Sequence, residues 1–263
     1  MTTLAITGAA GRMGQRLIAV ARESKDLKVI AAIERGGSPA IDRDAGEVAG
    51  IGNIGLPISA EMKVTPDVLI DFTAPAGMKH WMKACRDRKI AMVIGTTGLV
   101  QEDHDAIDEA SAFIPILQAG NMSLGVTVMC KIVAEVAALL GDDYDVEVLE
   151  AHHRFKKDAP SGTAEMVAAA VLQGLNRKHE NLVYGRHGGD VPRQPKDVGM
   201  HSLRLGDEVG LHTAYFAALG ERLEITHKAT NRDTFVHGAL KAAKWLKGQQ
   251  PGRYTIRQML GIE

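Results

Sequence analysis

Two imidazoles, an arginine and two lysines crowd the run Glu150-Ala151-His152-His153-Arg154-Phe155-Lys156-Lys157, and a Pro160-Ser161-Gly162-Thr163 turn follows closely. Histidine exchanges protons near neutrality because its ordinary pKa is about 6.5. Cationic side chains and the free N–H groups of a helix start both favour bound anions. The combination is a proton donor beside an anion clamp, suited to a small carboxylate or phosphate. A basic loop taken alone is as often plain solvated surface. A metal site fits less well, since no cysteine or third histidine lies close in sequence to complete a ligand set. Neighbouring strand residues point to opposite faces, so His152 and His153 share a pocket only where the strand ends or twists.

A second chemical signal is Gly8-Ala9-Ala10-Gly11-Arg12-Met13-Gly14, placed between an apolar strand and an amphipathic helix. Glycines allow the tight turn and let backbone approach a pyrophosphate at the helix N-terminus. Ala10 stands where the G-x-G-x-x-G pattern has its middle glycine. Glu34 ends the next strand about 20 residues past Gly14, the spacing of a ribose-binding carboxylate. Arg35 follows it. A carboxylate suits NADH and a guanidinium suits the 2′-phosphate of NADPH, so either coenzyme is open. The same two residues also read as a surface pair worth little energy. Gly95-Thr96-Thr97-Gly98 and Ala119-Gly120-Asn121-Met122 sit at the carboxyl ends of two further strands, where open α/β sheets bind ligands. The Gly-Thr-Thr-Gly loop could equally be an ordinary turn with a threonine helix cap.

The elements that position these groups alternate. Strands are expected at 4–7, 27–33, 67–72, 90–94 and 114–117, with helices at 12–23 and 101–111. The stretch 36–63 reads as irregular surface, with room for one short strand. That pattern predicts a Rossmann-type doubly wound parallel α/β sheet. Past residue 122 the pattern changes to a long apolar helix at 126–140, a strand at 145–152 and a helix at 163–176. A loop at 181–198 follows, then three strands at 201–205, 208–219 and 222–227. Glycine turns at 206–207 and 220–221 predict hairpins, hence a second α+β domain with a mixed, largely antiparallel sheet. A helix at 234–247 returns to the first domain. The expected domains are 1–122 with 233–263, and 123–232.

At 263 residues the chain fits one large or two modest domains. A net charge of −1 argues against nucleic acid as the main partner. Two cysteines give no disulfide framework and suit a reducing compartment. The N-terminus lacks a signal-peptide pattern, and the apolar stretches look interrupted before membrane-spanning length. The expectation is a cytoplasmic protein with no membrane partner.

Together these segments resemble the dihydrodipicolinate reductase family, now described as 4-hydroxy-tetrahydrodipicolinate reductase. The motifs carrying the resemblance are the 8–14 loop, Glu34-Arg35, Val93 to Gly98, the run from Glu150 through Thr163, and Gly220-Glu221-Arg222 with Glu224 to Ala229. The resemblance implies an NADH- or NADPH-dependent reductase of diaminopimelate and lysine biosynthesis, acting on a small dicarboxylate. It implies His152 as proton donor and acceptor, with Lys156 as a second donor. His153, Gly162 and Thr163 would bind the substrate carboxylates, with Ser161 in the same donor region. Gly8, Ala9, Ala10, Gly11, Arg12, Met13, Glu34, Arg35, Gly95, Thr96, Thr97, Ala119, Gly120, Asn121 and Met122 would hold the coenzyme, and no metal is implied. Phe155 and Met122 depart from residues common in relatives.

The resemblance also implies a homotetramer built through the second domain's sheet, although Tyr215 and Phe216 would equally suit a monomer core. Hydride transfer implies closure about hinges near 121–125 and 230–233. Two rivals remain open: another nicotinamide-dependent oxidoreductase of the same build, which should lack the 152–163 segment, and a regulatory module that binds coenzyme without turnover.

Overall fold

The computed structural model describes residues 1–262 and forms two compact units, Met1–Ser123 with the chain from Asp233 onward, and Leu124–Arg232. The first unit begins β1 (Thr2–Thr7), α1 (Arg12–Glu23), β2 (Leu27–Ile33), α2 (Ala45–Val48), β3 (Ile58–Ser59), β4 (Val68–Asp71), α3 (Pro75–Arg88), β5 (Ala91–Ile94), α4 (Gln101–Ser111) and β6 (Pro115–Gln118). The second contains α5 (Leu124–Leu140), β7 (Asp145–His152), α6 (Gly162–Gly174), β8 (Leu182–Tyr184), β9 (Val198–Arg204), β10 (Gly210–Ala218) and β11 (Glu221–Ala229). The chain then rejoins the first unit as α7 (Asp233–Leu246), β12 (Gly252–Tyr254) and α8 (Ile256–Leu260).

The seven strands of the first unit are all parallel, in the order β3-β2-β1-β4-β5-β6-β12. This is a Rossmann-type sheet, and strand order reverses between β1 and β4. Every residue of β4 and β5 is buried, as a strand covered on both faces requires. Helix α7 packs on β4, β5, β6 and α1. Arg16 of α1 donates two hydrogen bonds, of 2.9 and 2.7 Å, to Asp233 at the start of α7. Elements absent from the sequence reading are α2, α3, β8, β12 and α8; β3 is the short strand allowed for in 36–63.

In the second unit α5 and α6 cover one face of a five-stranded sheet of order β11-β10-β7-β9-β8. The two helices approach closely at Gly174, where a Cβ would stand 2.3 Å from the Ala134 carbonyl oxygen. One expectation is overturned. Strands β9 and β10 do not form a hairpin with each other, because β7 lies between them, parallel to β9 and antiparallel to β10. Glycine-turn chemistry marks a reversal of direction but not adjacency. Here the 205–209 connection straddles the end of β7, with Leu205 N–H donating to the His152 carbonyl at 2.8 Å and Arg154 N–H to the Gly206 carbonyl at 3.1 Å. Only β10 and β11 pair as the expected hairpin. The apolar stretch is also longer than expected. The stretch Leu124–Asp143 has mean hydropathy 1.9 and is long and apolar enough to cross a membrane, while Met129, Val133 and Ala137 on it belong to the unit's core.

Candidate active site

The inward residues of the second unit's three central strands all change character toward the same end. Strand β7 presents Val146, Val148, Glu150 and His152 on one face, because alternate strand residues share a face. Opposite them β10 presents Phe216, Ala214 and His212, and β9 presents Val198, Met200, Ser202 and Arg204. The apolar ends form the core beneath α5 and α6. The polar ends form two cross-strand rows. His227, His212, Glu150 and Ser202 make one; Gly210, His152 and Arg204 make the other, with Ala229 beyond Gly210.

Glu150 is fully buried, and burial of an isolated carboxylate costs several kcal/mol, about what its partners must offset. Its Oε2 lies 2.5 Å from His152 Nδ1, and Arg204 Nη1 donates to both oxygens at 3.0 and 3.1 Å. Burial alone pushes this carboxyl up, but hydrogen bonds from His152, Ser202 and Arg204 hold it below the ordinary glutamate range. It is therefore ionised at neutral pH. Arg204 Nη2 also donates to the Asp158 carbonyl at 2.5 Å, tying the 153–160 loop to β9.

His152, a residue 9% exposed, meets His212 edge to face with ring centroids 5.2 Å apart. Burial, then repulsion from His152, holds His212 down at about 4, so its ring is neutral at pH 7. Its Nε2 lies 3.1 Å from the Ser161 hydroxyl, and Ser161 caps α6 by accepting from Ala164 N–H at 3.2 Å. Gly210, directly beside the ring, leaves its space open: a Cβ there would stand 3.2 Å from His152 Nε2.

The structure thus joins His152 to Ser161 through His212, and Gly162 and Thr163 are the first residues of the 13-residue α6. A Cβ at Gly162 would meet nothing, so this position is open rather than packed. The strand ends at His152, meeting the condition for His153 to share the pocket, and Lys156 N–H donates to the His153 carbonyl at 3.1 Å. Lys156 Nζ donates to both Asp158 oxygens at 2.9 and 2.8 Å, and that hydrogen bond holds the Asp158 carboxyl below its usual range. Glu150, Arg204, Gly210 and His212 were not singled out from sequence, because their pairing across strands is set by register between residues far apart in the chain.

In the first unit the glycine loop has the geometry a dinucleotide needs. Gly8 has φ +63°, and a Cβ at Gly14 would fall 2.1 Å from the Gly8 carbonyl oxygen. Helix α1 starts at Arg12, with Met13 next, after Gly11 and without a side-chain cap, leaving its first N–H groups for an anion. Glu34 Oε2 accepts from Ala10 N–H at 3.1 Å, and Oε1 accepts from Arg35 N–H at 3.0 Å. Ala9 N–H donates to the Ile33 carbonyl at 3.0 Å. A cleft of about 580 Å³ opens at the point where strand order reverses, lined by Gly8, Gly11, Glu34, Arg35, Thr73 and Trp81 among others. These residues fit a dinucleotide. The remaining expected residues do not line that cleft. Gly95 backs onto the Phe72 ring, where a Cβ would stand 2.3 Å from Cε1, and Thr96 donates to buried Asp71 at 2.5 Å. Thr97 follows in the exposed part of that loop. Ala119 N–H donates to the Ile94 carbonyl at 3.0 Å, Gly120 is exposed, and Asn121 Oδ1 accepts from Ser123 N–H at 2.8 Å. Met122 is buried, its carbonyl against Gly238. Asp71, which also accepts from Thr7 and Thr73, and Trp81 are features that sequence reasoning missed.

A dinucleotide cradle on a parallel sheet, with a buried carboxylate–imidazole pair on a mixed sheet, defines an oxidoreductase of the pyridine-nucleotide class. Residues 2–122 match the family model described as dihydrodipicolinate reductase, N-terminus, and residues 125–260 match dihydrodipicolinate reductase, C-terminus. The chain is 45% identical over 265 residues to the 4-hydroxy-tetrahydrodipicolinate reductase of Alkalilimnicola ehrlichii, covering 99% of each. It is 46% identical over 267 residues to that of Hahella chejuensis, covering 100% of each. Its fold is similar to a dipicolinate-bound dihydrodipicolinate reductase from Paenisporosarcina sp. TG-14, with TM-score 0.76, 22% identity and 97% of each chain covered. The chain belongs to the dihydrodipicolinate reductase family.

Proposed function

We propose that this chain reduces 4-hydroxy-tetrahydrodipicolinate to tetrahydrodipicolinate with NADH or NADPH, in diaminopimelate and lysine biosynthesis. Family membership supports the reaction. The observation that carries the mechanism is the chain His152–His212–Ser161, which sets a buried imidazole against the N-terminal turn of α6. A bound reduced nicotinamide supplies the hydride. Gly8 to Met13 with Glu34 and Arg35 hold the coenzyme, and the loops at Gly95 to Thr97 and Ala119 to Met122 complete its binding. Either coenzyme is accepted, with Arg35 serving the 2′-phosphate of NADPH.

The substrate's carboxylates lie against the Ser161–Thr163 turn that opens α6, aided by His153, because a helix N-terminus and nearby cations favour anions. His152 delivers the proton that follows the hydride, and Lys156 is a second donor. A positioned acid of this kind contributes roughly 10²–10⁴-fold. Both ligands must meet for turnover, so the segments near 121–125 and 230–233, where the chain changes domain, act as hinges. The enzyme works in the cytoplasm as a homotetramer joined through the second unit's sheet, where Leu203, Leu219 and Leu223 are exposed.

The test generates the substrate in situ from pyruvate and aspartate semialdehyde with a synthase, then follows absorbance loss of NADH and NADPH separately. Substrate-dependent oxidation of at least one is expected. Oxidation of neither, with coenzyme binding intact, refutes the proposal in favour of a binding module.

A further inference from the structure

We propose that Glu150 is a positioning residue for His152: its carboxylate, clamped by Arg204, fixes the proton on Nδ1 and so makes Nε2 the nitrogen that exchanges with substrate. This rests on the reading of His152 as proton donor and goes beyond it, since nothing in that reading requires a partner for the ring.

The geometry leaves Nδ1 one role. Glu150 is wholly buried, lies two residues from His152 on the same strand face, and approaches Nδ1 to 2.5 Å. An ionised carboxylate can only accept, so Nδ1 must carry the hydrogen. Ionisation is enforced from the other side, where Arg204 Nη1 reaches both oxygens and Ser202 adds a further bond. The other ring nitrogen, Nε2, faces the space kept free by Gly210. The charged and titratable groups around the ring are Glu150 from β7, Arg204 from β9, His212 from β10 with His227 behind it, and Lys156 with Asp158 from the loop. Of these only Glu150 touches a ring nitrogen among the described hydrogen bonds. In the proton transfer the Nε2–H bond breaks and its electron pair stays on the ring. The proton joins the substrate atom made electron-rich by the hydride, and a neutral Nδ1–H imidazole remains, to be reprotonated from solvent.

Glu150→Gln keeps the shape and reverses the hydrogen bond. The amide oxygen must face the donors Arg204 and Ser202, which turns the NH₂ toward Nδ1 and displaces its hydrogen, so Nε2 cannot release its own without leaving an imidazolate. The same inversion in an Asp-to-Asn triad variant costs about 10⁴-fold. The test measures kcat and KM of E150Q, H152Q and the double variant in the coupled assay. Expected is a fall in kcat of about 10²-fold or more for E150Q, with substrate KM and coenzyme Kd within threefold. No additional fall is expected when E150Q is placed in H152Q. A further drop of tenfold or more in the H152Q background overturns the proposal, because a merely structural role is felt with or without the imidazole. Wild-type kcat for E150Q beside a dead H152Q overturns it while leaving the His152 reading intact; an active H152Q overturns that reading itself. Should E150Q fail to fold, Arg204→Gln replaces it on the partly exposed side of the clamp. It is expected to lower kcat in the native background and not in H152Q, and equal loss in both backgrounds overturns the proposal.

Discussion

Gly210→Ala adds one methyl group to the wall of the candidate proton-transfer site, and the structure allows its effect to be worked out. The new Cβ would stand 3.2 Å from His152 Nε2, 3.6 Å from its Cδ2 and 3.8 Å from His212 Cε1. An ordinary carbon contact is about 3.5–4.0 Å, so the ring must retreat by a few tenths of an ångström. It cannot retreat freely, because Nδ1 is held at 2.5 Å by Glu150 and the ring packs edge to face with His212. Overpacking of this kind costs about 1–3 kcal/mol. With 1.4 kcal/mol per tenfold in rate, kcat should fall between about fivefold and a hundredfold. Global stability carries the same strain, reduced by one compensation. Gly210 does not have a positive φ, and replacing such a glycine by alanine stabilises by about 0.4–1 kcal/mol through the unfolded chain, offsetting part of the strain. The assay is coupled turnover beside a thermal melt and a coenzyme titration. Wild-type kcat, or a loss of activity matched by a melting shift above about 8 °C, would refute the reasoning.

His152→Gln should reduce kcat at least about 10²-fold while coenzyme affinity, measured by titration calorimetry, stays unchanged; unaltered turnover removes His152 from the mechanism. Arg35→Ala should weaken NADPH binding more than NADH binding, and equal effects contradict the 2′-phosphate role. Gly14→Ala would place a Cβ 2.1 Å from the Gly8 carbonyl oxygen and 2.7 Å from Ala9 Cα, both backbone, so the loop must move. Coenzyme Kd should rise at least tenfold, and an unchanged Kd would show that the loop does not grip the cofactor. His212 is held neutral, down at about 4, against about 6.5 unfolded, so between these values the unfolded chain binds more protons and stability falls as pH falls. The loss is up to about 3 kcal/mol across that window, full stability being present above about 6.5. His212→Asn should flatten the acid side of the denaturation free energy between pH 6.5 and 4, and an identical slope in both proteins would discount the buried imidazole.

Periodic elements were legible to the residue: the helices 12–23 and 101–111 and the strands 27–33 and 145–152 have the bounds expected of them. Helix α3 escaped because its buried stripe is the narrow set Met78, Met82 and Cys85 amid basic residues, opening on a proline that also reads as a turn. Strands β8 and β12, at three residues each, carry too little pattern to register. The misread pairing of β9 with β10 has a different cause. Turn residues encode local direction, whereas the intrusion of β7 depends on side chains that meet only in three dimensions. The site divides in the same way. His152, Lys156 and the Ser161–Thr163 turn stand out by residue type within one short segment. Glu150 stands in that segment too, yet its partners Arg204 and His212 arrive from other strands. Gly210 looks like any strand-end glycine until His152 is set beside it.

The straddling connection over β7 has a bearing on how this polypeptide acquires its chemistry. A local hairpin such as β10–β11 can form among neighbours, but the rows through Glu150 and His152 need partners far along the chain, Ser202 and Arg204 on one flank and His212 on the other. Loop closure of that span is entropically expensive and slow relative to local pairing. A nascent chain that stops before Gly210 therefore lacks one wall of the imidazole's surroundings, however well its helices have formed. Recovery of turnover during renaturation should trail recovery of helical signal, and enzymatic competence marks the last stage of maturation.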